Sequence, residues 1–78
     1  MELQLKYFGQ IAELTGKSAE TRNFEVTTVS ELNALLVKQY PGLEQASYSL
    51  AVDHQIANGA FLLTNNSEVA LLPPFSGG

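Results

Sequence analysis

The stretch Thr28-Val29-Ser30-Glu31 constrains the fold of this chain more than any other. A threonine followed three residues later by a glutamate has capping-box spacing. The hydroxyl takes a backbone N–H, and the carboxylate reaches back to the N–H of the cap residue. Behind it, Val29, Leu32, Leu35, Leu36 and Tyr40 recur at helical spacing as one apolar stripe, and Pro41-Gly42 stops the run. The pattern predicts one long helix over 29–40 with a single face to bury. The rest of the chain must supply the surface that buries it.

That surface reads as strands. Met1 to Phe8 alternates, with Leu3, Leu5 and Tyr7 on one face and Glu2, Gln4 and Lys6 on the other. A short helical turn follows, with Ile11 and Leu14 expected inward and Gly16 as its stop. Residues 19–26 read as a second strand ending in Phe24 and Val26, a hairpin-like partner of the first. Ser49–Asp53 alternates as a third strand, Asn58-Gly59 is a tight-turn dipeptide, and Asn65–Glu68 is a further turn. Glu68–Leu72 is the last strand. One helix across one face of a mixed sheet is expected, an α+β architecture of β-grasp type. Residues 1–72 form the domain and residues 73–78 an extended tail.

Composition removes most chemistries. The chain has 78 residues and no cysteine, which excludes disulfides, thiolate metal sites and a cysteine nucleophile. Met1 is followed by Glu2 rather than by a basic and then apolar run, so no secretory signal is expected. No apolar run approaches the ~18 residues of a membrane span. A reducing, cytoplasmic location fits. The formal net charge is −4 and the four basic residues are scattered, so nucleic acid is not an expected partner. His54 is the only histidine, and its neighbour Asp53 would point to the opposite face of a strand. It reads as a solvated residue at a strand end. No metal set is expected, because Asp53, His54 and Glu68 are too few and too dispersed.

The one reactive feature is the tail, Pro73-Pro74-Phe75-Ser76-Gly77-Gly78. Two prolines donate no hydrogen bonds and hold φ near −65°, so the ladder must end there and the chain is projected away. A terminal carboxylate, with a pKa of about 3.5, is a poor electrophile until another enzyme activates it. Glycine suits that task, since without a Cβ its carbonyl is open to approach and the tail can enter a narrow channel. Two apolar residues also break the strand pattern. Phe8 falls with Glu2, Gln4 and Lys6, and Leu72 with Glu68 and Ala70, so both point outward and together suggest an interface.

EVALLPPFSGG at 68–78 resembles the C-terminus of the molybdopterin synthase small-subunit family: acidic-Val-Ala, two apolar residues, Pro-Pro, two residues, Gly-Gly. YFGQIAELTG near the start and AVD at 51–53 are similar to that family's first strand and helix and its central strand. The resemblance covers the whole chain in order. It implies a sulfur carrier that binds no cofactor of its own. An E1-like enzyme uses ATP to adenylate Gly78, and a sulfur-donating enzyme converts it to a thiocarboxylate. The tail, Pro73 to Gly77 with Phe75 inside, then enters a channel of the large subunit in a heterotetrameric synthase. There sulfur passes to a cyclic pyranopterin precursor. Phe8, Ile56 and Leu72 are implied in the contact with that subunit. The chain departs from the family pattern at Ala12, Asp53 and Asn65-Asn66-Ser67, none of which touches the tail. Three alternatives stand beside this reading: a thiamine-pathway sulfur carrier, a ubiquitin-like protein modifier, and a binding module with incidental glycines.

Overall fold

Each odd residue of the first strand is buried and each even one exposed. Strand β1 (Glu2–Tyr7) buries Leu3, Leu5 and Tyr7 and leaves Glu2, Gln4 and Lys6 in solvent. The computed structural model describes residues 1–74. Helix α1 (Gln10–Thr15), strand β2 (Ala19–Asn23), helix α2 (Val29–Gln39), a 3-10 turn (Pro41–Gln45) and strands β3 (Ser49–Val52), β4 (Gln55–Ile56) and β5 (Glu68–Leu72) follow. The sheet order is β2-β1-β5-β3-β4, with β1 and β5 parallel at the centre and antiparallel pairs on both sides. One long helix on such a mixed sheet is the β-grasp arrangement.

The capping box forms as expected. Thr28 Oγ1 accepts the Glu31 N–H at 3.2 Å, and Glu31 Oε1 accepts the N–H groups of Thr27 at 2.7 Å and Thr28 at 3.1 Å. These backbone donors hold the Glu31 carboxyl below the usual carboxylate range. Val29, Leu32 and Leu36 then lie in one line and are buried against Leu3, Leu5, Leu50, Val52, Val69 and Leu71. Fully burying each such leucine contributes about 1.5–3 kcal/mol. Thr28→Ala should lower stability by about 1 kcal/mol, read as a shift in the urea midpoint.

Four expectations need correction. Leu14 is 37% exposed, because Ile11 and Thr15, four apart, take the inner face of α1. Leu35 is 41% exposed, lying on the flank of α2 beside Phe24 rather than on its inner line. Strand β2 stops at Asn23, not residue 26. Its partner β1 begins at Glu2, so Met1 closes the ladder against Phe24, although Phe24 and Val26 are still buried. Asp53 leaves the third strand. The hairpin turn joining β3 to β4 is Asp53-His54, at φ 48° and 74°. Two consecutive positive φ values match the twist of the flanking strands. The tight turn expected at Asn58-Gly59 forms, closed by the Phe61 N–H on the Asn58 carbonyl at 3.1 Å.

A polar knot ties β1, β2 and the end of α2 together. Glu20 Oε2 accepts the Tyr7 hydroxyl at 2.5 Å and the Tyr40 hydroxyl at 3.0 Å, while Lys17 and Arg22 approach Oε1 at 3.4 and 3.7 Å. Burial alone would raise the Glu20 carboxyl, but the two phenols and the Lys17 ammonium outweigh it and hold the group below its ordinary 4.5. Burial, reinforced by Glu20, drives the Tyr7 phenol well above its ordinary 10.0. A depressed carboxyl adds stability above its unfolded pKa and loses it as pH falls through the folded value. Glu20→Gln should therefore cost about 2 kcal/mol near neutrality and flatten the loss of stability below pH 4.5. Urea titrations across that range will read it.

Candidate docking face and tail exit

Register decides what the outer face of the sheet presents. Lys6 stands opposite Ala70 in the β1–β5 pair, and Ala70 opposite Ala51 in the β5–β3 pair. Ala51 in turn faces Ile56 across β3–β4, and Ser49 faces Leu72. Opposed residues share a face. Phe8, two residues beyond Lys6, continues that face next to the end of β5, where its N–H reaches the Leu71 carbonyl at 3.4 Å. Phe8, Ile56 and Leu72 thus line one shallow depression of about 340 Å³, with Ala51 and Ala70 between them. Phe8 is 45% exposed and Ile56 68%, while Leu72 is half-buried.

The parity argument placed Phe8 and Leu72 outward, and the register brings both beside Ile56. The two alanines were not singled out from the sequence. Their small side chains keep the floor flat enough for an apolar partner to lie on it, and only strand pairing shows that they are neighbours. A charged rim completes the face. Glu68 lies 3.4 Å from Lys6 Nζ and 3.7 Å from His54 Nε2, so its charge is partly answered within the chain. His54, with a side chain 84% exposed, is a solvated turn residue at this rim. Asp53 joins β5 instead. Its Oδ1 accepts the Glu68 N–H at 2.9 Å, and its own N–H donates to the Glu68 carbonyl at 2.8 Å.

The strand end that leads into the tail lies beside Phe8, at one end of this face. The ladder ends at Leu72, Pro73 is half-buried and Pro74 exposed. Pro73 packs over Gly9, where a Cβ would sit 3.1 Å from its Cγ. Gly9 has φ 54° and ψ −130°, a conformation that suits glycine, and the chain reverses there from β1 into α1. The expectations for Phe75, Ser76, Gly77 and Gly78 lie outside the described residues. Among the described residues, no three of His, Asp or Glu gather as a metal set, and no helix is long and apolar enough to cross a membrane.

This geometry has known counterparts. The model of the ThiS family matches residues 5–78. The molybdopterin synthase sulfur carrier subunit of Caenorhabditis briggsae is 35% identical, over 100% of this chain and 99% of its own length. Small archaeal modifier protein 1 of Haloferax volcanii superposes with a TM-score of 0.82 at 21% identity, covering 95% of this chain and 98% of that one. A protein–protein complex of subunits 1 and 2 of the molybdopterin-converting factor from Helicobacter pylori contains a chain that matches at TM-score 0.72 and 22% identity. All of both chains is covered.

Proposed function

Because the chain belongs to the ThiS family, the family model matched from residue 5 to residue 78, we propose that it is the sulfur carrier subunit of a molybdopterin synthase. The observation that carries this reading is spatial. The exposed apolar face of Phe8, Ile56 and Leu72 lies at the end of β5 from which the Pro73-Pro74 neck departs. A partner seated on that face receives the tail directly. The partner is the large subunit of the synthase, in keeping with the two-subunit complex of the Helicobacter pylori neighbour.

The chemistry resides at Gly78. An E1-like enzyme lets the Gly78 carboxylate attack the α-phosphate of ATP, and pyrophosphate leaves. A sulfur-donating enzyme then supplies sulfur at the sulfide level, which attacks the Gly78 acyl carbon; the bond to AMP breaks, AMP leaves, and a thiocarboxylate remains. In the large subunit this sulfur passes to the cyclic pyranopterin precursor, and water restores the carboxylate. The chain acts in the cytoplasm and holds no cofactor of its own. It contributes a rigid head, a docking face and a narrow acyl terminus, while the catalytic groups belong to its partners.

Mass spectrometry of the chain incubated with its activating enzyme, ATP and a sulfur donor tests the reading. The expected product carries an oxygen-to-sulfur mass increase confined to the peptide ending in Gly78. An adduct joining Gly78 to lysine side chains would instead mark a protein modifier. A sulfur-bearing chain that supports thiazole formation but not molybdopterin formation would mark the thiamine-pathway carrier.

A further inference from the structure

We propose that Asn58 is a site of self-modification, its side-chain amide lost through a cyclic imide closed by the backbone nitrogen of Gly59. The reaction needs a backbone N–H that is free to attack and a side-chain carbonyl held near it. Both residues are exposed. Asn58 Oδ1 accepts the Ala60 N–H at 2.9 Å, which holds the side chain back over the 58–59 peptide and polarises Cγ for attack by the Gly59 nitrogen. Among the described residues the Gly59 N–H donates to nothing. Gly59 also has no Cβ to hinder closure.

The other asparagines lack this combination. After Asn23, the Phe24 N–H donates to the Met1 carbonyl at 2.8 Å. Asn33 lies within α2, and its Oδ1 accepts the Tyr48 hydroxyl at 2.5 Å. After Asn65, the Asn66 N–H donates to the Glu2 carbonyl at 2.6 Å, and after Asn66 the Ser67 N–H donates to the Thr64 carbonyl at 3.1 Å. Only Asn58 precedes a glycine.

The step balances with water alone. Water or hydroxide takes the Gly59 N–H proton as the nitrogen bonds to Asn58 Cγ. The Cγ–Nδ2 bond breaks and ammonia leaves with a proton. Water then opens the five-membered imide at either carbonyl, giving aspartate or isoaspartate. The isoaspartate product inserts an extra carbon into the backbone between positions 58 and 59. That shifts the Gly59 carbonyl, which accepts the Ser30 N–H at 2.9 Å in the first turn of α2.

The native full-length chain, held in mildly alkaline buffer and then mapped by peptide mass spectrometry, tests this. Asn58 is expected to convert at least about tenfold faster than any other asparagine, a barrier difference of roughly 1.4 kcal/mol. Isoaspartate should be among the products, with faster amide exchange at Ser30 in the converted fraction. A Cβ at position 59 would sit 3.2 Å from Ser30 Cβ, so Gly59→Ala changes packing as well as closure. Asn58→Gln is the cleaner variant: it keeps the side-chain carbonyl but needs a larger ring, and should be stable. Conversion of Asn58 no faster than that of Asn65 or Asn66, an all-aspartate product, or equal loss from Asn58→Gln would each overturn the proposal.

Discussion

Deleting Gly78 is expected to abolish sulfur transfer while leaving the domain folded. The described core is complete without the tail. Its buried residues run from Leu3 to Leu71, and Pro74 is already exposed. Truncation beyond a completed core is generally tolerated. Appending one residue after Gly78 should be equally damaging, because the glycine acyl group then becomes an ordinary peptide bond that cannot be adenylated. Gly77→Val should slow activation or channel entry through Cβ bulk. The measurement is molybdopterin formation with purified partners, beside a urea melt of each variant. Normal product formation by the deletion or the extended chain would refute the carrier assignment.

Phe8→Asp should weaken association with the large subunit by about 2 kcal/mol or more, at least about thirtyfold in Kd, as for a central anchor of an interface. The fold should survive, since Phe8 belongs to the outer face and not to the buried cluster. Ile56→Asp should act in the same direction, because Ile56 is 68% exposed and makes up the far side of the same depression. Titration calorimetry reads the affinity and circular dichroism the fold. Wild-type affinity in both variants would move the docking surface elsewhere.

The sequence carried the parts of this fold that depend on one segment at a time. The capping box over Thr28–Glu31 and the burial alternation of β1 are local patterns, and both form as written. The outward placement of Phe8 and Leu72 followed from strand parity alone. What the sequence did not carry depends on pairing. The end of β2 at Asn23 is set by where β1 begins, and Asp53 turns because its side chain and N–H meet Glu68, fifteen residues away. Leu14 and Leu35 were misplaced because helical spacing alone does not separate the inner line of a helix from its flank. The Glu20 knot was invisible for the same reason: Tyr7, Glu20 and Tyr40 meet only once three elements have packed.

The parallel pairing of β1 with β5 places the first and last described strands side by side at the middle of the sheet. Local pieces of the chain can form early, but this central ladder waits for a strand that is synthesised after all the other described elements. Contacts so distant along the chain are slow to form, because loop closure must precede any gain from them. A ribosome-bound nascent chain therefore lacks the middle of its sheet. The patch of Phe8, Ile56 and Leu72 is assembled only when β5 docks, and β5 is also the strand that carries the Gly-Gly end. Copies that end before β5 thus never assemble this face, so its display reports that the last described strand has been made and has docked.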